Sequence, residues 1–118
     1  MDPEELKRRM KRFALAVIRL VEELPRGRVA GVLGQQLLRS GTSVGANYRA
    51  ACRAKSPADF IAKMGLVEEE LDESLYWMEL LGESRTTRQD KVADVVNEAN
   101  ELLAITVASI KTARSRRN

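Results

Sequence analysis

Nine lysines and arginines are the side chains of this sequence best suited to a chemical task, the binding of phosphate groups. They lie in three separate segments of the chain: Lys7, Arg8, Lys11, Arg12, Arg49, Arg53, Arg114, Arg116 and Arg117. Arginine presents a planar fork of donors to phosphate, and lysine presents a compact positive charge. These nine residues are therefore candidates for contact with a nucleic-acid backbone, provided that the fold brings the three segments together.

Histidine is absent from the chain. Its absence removes the most common general base, the Ser-His and Cys-His nucleophile pairs, and every metal site that contains histidine. The densest carboxylate cluster comprises Glu68, Glu69, Glu70, Asp72 and Glu73. Di-metal sites in helical bundles combine Glu with His, so we expect most of these acids to form a solvated face. We predict a non-enzymatic protein with no catalytic residues, no metal site and no cofactor.

Two acids of this cluster, Glu70 and Glu73, flank an apolar position and can reach the polar side of the preceding helix. A buried carboxylate must be paired or hydrogen-bonded. Arg39, Ser43 and Asn47 are the available partners on that helix. We therefore predict a structural polar network made of these five residues.

The adjacent aromatic residues Tyr76 and Trp77 have two interpretations. They pack in the core, or they anchor an interface between subunits, where such side chains are enriched. Both remain open, and both residues are interface candidates. Cys52 is the only cysteine, so it has no partner for an intrachain disulfide. We expect it to be a small buried or half-buried filler.

Length and composition indicate one globular domain over residues 1–118. Hydrophobic residues make up 44% and charged residues 31%, and a chain of this length buries a substantial core. No apolar run approaches the ~18 residues that cross a bilayer. The acidic start of the chain, Asp2 to Glu5, differs from the basic start of a signal peptide. We expect a cytoplasmic protein with no membrane partner.

The spacing of apolar residues predicts four helices, at about 3–24, 29–54, 57–82 and 87–113. Their apolar positions step by four and three residues, as in the fourth helix at Val92, Val96, Ala99, Leu103, Thr106, Ile110 and Ala113. Asp-Pro and Ser-Pro pairs give N-cap signals before the first and third helices. Long helices joined by short turns pack antiparallel, so we predict an all-α fold, an antiparallel up-down-up-down four-helix bundle.

The second helix has an unusual middle, residues 37–51, built from Ser, Gly, Thr, Ala and Asn around Gly41 and Gly45. An interior glycine costs a helix about 1 kcal/mol relative to alanine. A helix that accepts this cost usually allows another element to approach closely. We predict that this segment is an inner helix packed tightly against a neighbour.

Antiparallel order gathers the start of the first helix, the turn between the second and third, and the end of the fourth. This basic end holds twelve lysines and arginines against four acids, within a chain whose net charge is +3. Such a distribution is typical of a protein that binds a polyanion. The alternative is a solvated charged end, because basic residues also complement the dipole at helix C-termini. No aromatic residues alternate with these cations, so base stacking is not predicted.

Three stretches resemble a bacterial family, the four-helix proteins of intervening sequences in large-subunit ribosomal RNA genes. The stretches are Gln36 to Asn47, then Ser56 to Lys63 with Asp59-Phe60-Ile61, then Glu70 to Leu81 with Tyr76-Trp77. The same superfamily includes accessory proteins of diversity-generating retroelements. In one departure, Ala50 stands where the family usually has glutamate.

The resemblance implies a four-helix monomer and a ring of five copies, a homopentamer. It also implies a basic surface that contacts nucleic acid and, in the retroelement relatives, a reverse transcriptase. Our leading hypothesis is accordingly a non-enzymatic oligomeric assembly protein that binds RNA or an RNA–protein complex through its basic end. The alternative is a protein-interaction scaffold that docks a partner protein without nucleic acid.

Overall fold

The computed structural model of the protein describes residues 1–117, apart from the side chain of Arg117. Four helices account for most of this part of the chain, and no strand occurs in it. They are α1 (Pro3–Glu22), α2 (Arg28–Cys52), α3 (Pro57–Glu83) and α4 (Gln89–Arg117). The prediction of an all-α four-helix fold is confirmed.

Caps and prolines place the starts of α1 and α3 where the sequence predicts them, whereas α2 begins at Arg28 rather than at residue 29 and α4 at Gln89 rather than at residue 87. Asp2 accepts a hydrogen bond from the backbone N–H of Glu5 at 2.9 Å, and Pro3 opens α1. Ser56 accepts from the N–H of Asp59 at 3.0 Å, and Pro57 opens α3 in the same way. Each cap satisfies a backbone donor that the first helical turn leaves without a partner.

The helix ends differ from the predicted bounds. α1 stops at Glu22 rather than at residue 24, because Pro25 disfavours helical backbone before it. The N–H of Leu24 instead donates to Val21 in a final tight turn. α4 extends past residue 113 to Arg117, since its basic last turns contain no helix breaker and complement the dipole.

The connections determine how the helices run. Each helix packs against its neighbours in the order α1–α2–α3–α4, and α4 returns to α1. The linkers 23–27, 53–56 and 84–88 are far too short to return along a helix of about 37 Å, so consecutive helices run antiparallel. The resulting bundle measures 49 × 20 × 19 Å. None of the helices described is both long and apolar enough to cross a membrane.

The predicted apolar positions form one core that runs the length of the bundle. Met10, Val17, Leu37, Leu71 and Met78 are fully buried. In α4 the predicted positions Val92, Ala99, Thr106 and Ile110 are buried, but Leu102 is fully buried where Leu103 was expected, and Leu103 is only half-buried. The sequence reading also missed Tyr48 and Ser74 as buried residues.

Small residues let α1 and α2 approach closely. A Cβ at Gly41 would lie 2.9 Å from both methyl groups of Val17, which is fully buried. A Cβ at Gly45 would lie 3.5 Å from Met10, an ordinary contact distance. Of these two glycines, only Gly41 is therefore required on steric grounds.

Three alanine substitutions test this requirement. Gly41→Ala should lower the free energy of unfolding by about 1–2 kcal/mol, because overpacking against a stiff β-branched side chain exceeds the gain in helix propensity. Gly45→Ala should be neutral or stabilising. Gly65→Ala, where a Cβ meets nothing within 4 Å, should stabilise by up to about 1 kcal/mol. Urea unfolding followed by circular dichroism measures all three, and equal destabilisation by all of them would contradict the steric argument.

Candidate functional site

The N-terminal half of α1 and the last turns of α2 together form an open groove with a volume of about 380 Å³. We call it the cationic groove. Its lining side chains are Glu4, Lys7, Arg8, Lys11, Arg49 and Arg53. The structure thus brings together five of the nine predicted phosphate-binding residues, from two segments about forty residues apart in the chain.

Charge in the cationic groove is largely uncompensated. Lys7 pairs with Glu4 at 3.0 Å, but the Glu4 side chain is 70% exposed and such a surface pair contributes little. Within the described residues, Arg8, Lys11, Arg49 and Arg53 have no carboxylate within ion-pair distance. The groove therefore presents at least four accessible cations to a polyanion.

The close approach of α1 and α2 places these cations side by side. Beside the cationic groove lies a smaller groove of about 240 Å³, lined in part by Ala14, Thr42, Gly45 and Ala46. Because these side chains are small, the two helix backbones lie close and the cations of each helix project along one shared edge. The unusual composition of α2 is therefore a structural condition for the groove.

Three of the other four predicted phosphate-binding residues lie outside the cationic groove. Arg12 lines a different groove, between α1 and α4. Arg114 and Arg116 are exposed on the last turns of α4. The side chain of Arg117 lies outside the described part of the structure. The structure thus separates one clustered cationic site from more dispersed basic residues.

One basic residue of this end is neutralised. Arg9 donates through Nε to Glu98 at 2.6 Å and through an Nη to the other oxygen of the same carboxylate at 2.8 Å. Glu101 adds a third contact at 3.1 Å. This pairing raises the pKa of Arg9 and links α1 to α4. Counting charges in the sequence cannot distinguish this arginine from its accessible neighbours.

The turn between α2 and α3 is held by Asp59. Its carboxylate accepts a hydrogen bond from the backbone N–H of Lys55 at 3.0 Å and one from the Lys63 ammonium at 2.7 Å. These bonds lower the pKa of Asp59, with the Lys63 contact contributing most. The turn directly follows Arg53, so Asp59 helps to fix the end of α2 that carries part of the cationic groove.

The predicted polar network is only partly assembled. Arg39 donates to Glu73 at 2.6 Å, and the indole N–H of Trp77 donates to the same oxygen at 3.3 Å. Ser43 and Asn47 instead donate to carbonyl oxygens of their own helix. Polar side chains of a helix readily form such local bonds, and the sequence pattern does not distinguish them from bonds between helices.

The buried polar contact between α2 and α3 involves two serines outside the predicted network. Ser74 Oγ donates to Ser40 Oγ at 2.9 Å, and both residues are fully buried. Glu70, in contrast, has a buried carboxylate oxygen that accepts no hydrogen bond within the described residues. Burial, followed by repulsion from Glu73, raises the pKa of Glu70. The serine at the apolar position 40 was the available sequence signal for this contact.

The two aromatic residues divide between surface and core. Tyr76 is 53% exposed, whereas Trp77 is half-buried against the core. Their rings are tilted, with centroids 5.2 Å apart. Cys52 is exposed, so the expectation that it fills a gap in the core was wrong. The end of α2 turns position 52 towards solvent while Tyr48 occupies the core instead, and burial raises the pKa of Tyr48.

No group of three or more Cys, Asp or Glu side chains within the described residues is arranged to hold a metal ion.

Comparisons with known proteins agree with the four-helix fold. Residues 4–108 match the sequence profile described as 23S rRNA-intervening sequence protein. The chain is also similar to a crystal structure from Bacteroides thetaiotaomicron, of a protein with unknown function from the S23 ribosomal protein family. That similarity has 33% sequence identity and a TM-score of 0.86, and it covers 94% of this chain and 99% of the other. No curated protein matches significantly.

The pH dependence of stability tests the role of Asp59. Because its folded-state pKa lies below the ordinary value of 3.8, its stabilising contribution is present above pH 3.8 and is lost as the pH falls through the lowered pKa. Asp59→Asn should therefore lower the melting temperature at pH 7. The difference from the unsubstituted protein should shrink below pH 3.8. A difference that stayed constant down to pH 2 would show that the charge of Asp59 contributes nothing.

Proposed function

The chain belongs to the 23S rRNA-intervening sequence protein family, and from that premise we propose that it binds structured RNA through the cationic groove. In this proposal it is a non-enzymatic assembly protein, and its ligand is RNA alone or in an RNA–protein complex. The observation that carries the proposal is the cluster of Lys7, Arg8, Lys11, Arg49 and Arg53 around one open groove.

The chemistry of the groove favours backbone recognition. Its cations are long, exposed and largely free of carboxylate partners, whereas no aromatic side chain lines it to stack on bases. Phosphate contacts position a protein on nucleic acid without reading its sequence. The proposed ligand is therefore recognised by the spacing of its phosphates. Arg12, Arg114 and Arg116 would add weaker contacts outside the groove, and Arg117 remains a further candidate for phosphate contact.

The proposal includes self-association in the cytoplasm. The family resemblance implies a homopentamer, and several copies would present several cationic grooves to one RNA. Linked sites raise the overall affinity without any new type of contact. A further protein, such as a reverse transcriptase in the retroelement relatives, would be a partner of the assembled complex.

A second candidate function is a scaffold that docks a protein without nucleic acid. It is favoured by the exposed ring of Tyr76 beside Trp77. Substitution of Tyr76 would then abolish binding of the partner protein, whereas removing the cations of the groove would leave that binding intact.

Removing cations from the groove should weaken RNA binding. For Arg49→Ala combined with Arg53→Ala, we expect the Kd for a fluorescein-labelled RNA hairpin to rise about tenfold or more at low salt. We also expect the slope of log affinity against log salt to become shallower by about two, one for each lost phosphate contact. Fluorescence anisotropy at several salt concentrations measures both quantities.

A matched control removes the same charge elsewhere. Arg26 and Arg28 are exposed near the connection between α1 and α2, at the opposite end of the bundle. Arg26→Ala with Arg28→Ala should leave the Kd within about twofold of the unsubstituted protein. Equal weakening by both pairs would mean that net charge alone is responsible and would overturn the groove. Absence of binding at low salt would overturn RNA as the ligand.

The arginines of α4 form a separate test. Arg114→Ala, Arg116→Ala and Arg117→Ala together should raise the Kd less than the groove pair does, because Arg114 and Arg116 do not line the groove. The same anisotropy titration measures this effect. A larger loss from the α4 variant would move the principal site to the end of α4.

A further inference from the structure

The cationic groove continues into a second, smaller groove between α1 and α2. The side chains of Lys7, Lys11 and Arg49 line both grooves, so the two share a rim of positive charge. The second groove has a volume of about 240 Å³, just below the range of about 300–1,000 Å³ that is typical of small-molecule sites. A ligand whose anionic groups are held by the shared cations therefore has room to place an uncharged part beside them.

Uncharged residues form the rest of this second groove, which we call the apolar groove. They are Met10, Ala14, Thr42, Gly45 and Ala46. Ala46 is exposed and Ala14 is half-buried, so another molecule can reach this surface. In the cationic groove, by contrast, every lining residue is charged. The two continuous grooves therefore offer a charged surface and an apolar surface to the same ligand.

Packing within the bundle does not explain the glycine at position 45. A Cβ there would lie 3.5 Å from Met10, an ordinary contact distance, whereas a Cβ at Gly41 would collide with Val17. The close approach of α1 and α2 therefore depends on Gly41. At Gly45 the missing side chain leaves space in the apolar groove, where another molecule can occupy it.

Thr42 provides the hydroxyl group of the apolar groove. This hydroxyl donates its single hydrogen to the backbone oxygen of Leu38 at 2.7 Å, and the backbone oxygen of Arg39 lies at 3.3 Å. Because the hydrogen is used within α2, the hydroxyl oxygen can offer only lone pairs to a ligand. A ligand that pairs with Thr42 must therefore present an N–H or O–H donor.

We propose that the apolar groove holds the base of an unpaired nucleotide, while the shared cations bind the phosphates beside it. A nucleotide joins the required parts at short range: an anionic phosphate and a flat, uncharged base with N–H donors. Bases within a duplex are stacked and paired, whereas those in loops and bulges can turn outward to contact a protein. This inference rests on the RNA binding in the proposed function. It names the class of RNA as one with an unpaired nucleotide beside a helix.

Contact with the base requires no aromatic residue in this groove. The plane of an arginine guanidinium also stacks on unpaired bases, and Arg49 is exposed and lines both grooves. Ala14 and Ala46 contact the base through their methyl groups, and Thr42 accepts a hydrogen bond from an amino group such as N6 of adenine. These contacts are few, so the base adds a preference to an affinity that the phosphates supply.

Three closely matched RNAs test the inference by fluorescence anisotropy. One is a blunt duplex, the second carries a single bulged adenosine, and the third has an abasic nucleotide in place of that adenosine. We expect the bulged duplex to bind roughly fivefold more tightly than the other two, because the apolar area of the base is buried. The abasic duplex keeps the phosphates and the flexibility of the bulge, so it isolates the base. Equal affinity for the bulged and abasic duplexes overturns the inference.

Filling the apolar groove tests the inference from the protein side. Ala46→Leu adds volume at an exposed helical position without changing charge. It should abolish the preference for the bulged adenosine and leave the Kd for the blunt duplex within about twofold, because phosphate contacts remain. Ala104→Leu is the matched control, since Ala104 is exposed on α4 and lines neither groove. Circular dichroism confirms that both variants keep their helices. Equal weakening of all three RNAs by Ala46→Leu, or loss of the preference in Ala104→Leu, overturns the inference.

The hydroxyl of Thr42 has a separate test. Thr42→Val keeps the branched shape of the side chain and removes the acceptor. It should raise the Kd for the bulged duplex about threefold, the effect of one lost neutral hydrogen bond, and leave the Kd for the abasic duplex unchanged. An equal rise for both duplexes overturns the contact between Thr42 and the base.

The same titrations separate this inference from the proposed function. Absence of binding to all three RNAs at low salt overturns the cationic groove as an RNA site, and the inference with it. Equal Kd values for the three RNAs, with a salt slope that depends on Arg49 and Arg53, support the cationic groove and overturn the base in the apolar groove. A preference for the bulged adenosine that Ala46→Leu abolishes supports both.

Discussion

The close contact between α1 and α2 at Gly41 is the packing constraint on which the rest of the molecule depends. A Cβ at that position would collide with Val17, so a side chain as small as alanine would force the two helices apart. Their closeness sets the path of α2, which in turn presents Ser40 to Ser74 on α3. It also brings Arg49 and Arg53 beside the cations of α1. One steric requirement therefore links the core to the candidate RNA site.

The polar side chains of the bundle fall into two sets, those with a hydrogen-bond or ion-pair partner and those without one among the described residues. Ser40 and Ser74 satisfy each other inside the core, where an unpaired hydroxyl would be costly. Arg9 is fixed between two carboxylates and fastens α1 to α4. Four of the groove cations, Arg8, Lys11, Arg49 and Arg53, and one carboxylate oxygen of Glu70 instead lack such partners among the described residues. Of these groups, the four exposed cations can be reached by another molecule, whereas the Glu70 oxygen is enclosed.

Much of the fold was predictable because long helices repeat a local signal. The caps at Asp2 and Ser56 and the steps of four and three residues predict the helix starts and most of the core. The burial of Leu102 in place of Leu103 was not predictable, because both are leucine and both lie three or four residues from the buried Ala99 and Thr106. Ser43 and Asn47 were likewise ambiguous, since a bond to their own helix and a bond to a neighbouring helix require the same side chain.

The sequence by itself determined that the chain is helical, that it has no histidine chemistry, and that its cations concentrate at one end. Only the tertiary structure decided which of these cations act together. Lys11 and Arg49 line one groove because α1 and α2 touch. Arg12 instead lines the groove between α1 and α4, and Arg9 is neutralised by Glu98. The physical reason is that composition sets the number of charged side chains. Whether a given cation can contact a ligand depends on the rotation of its helix and on ion-pair partners that are distant in the chain.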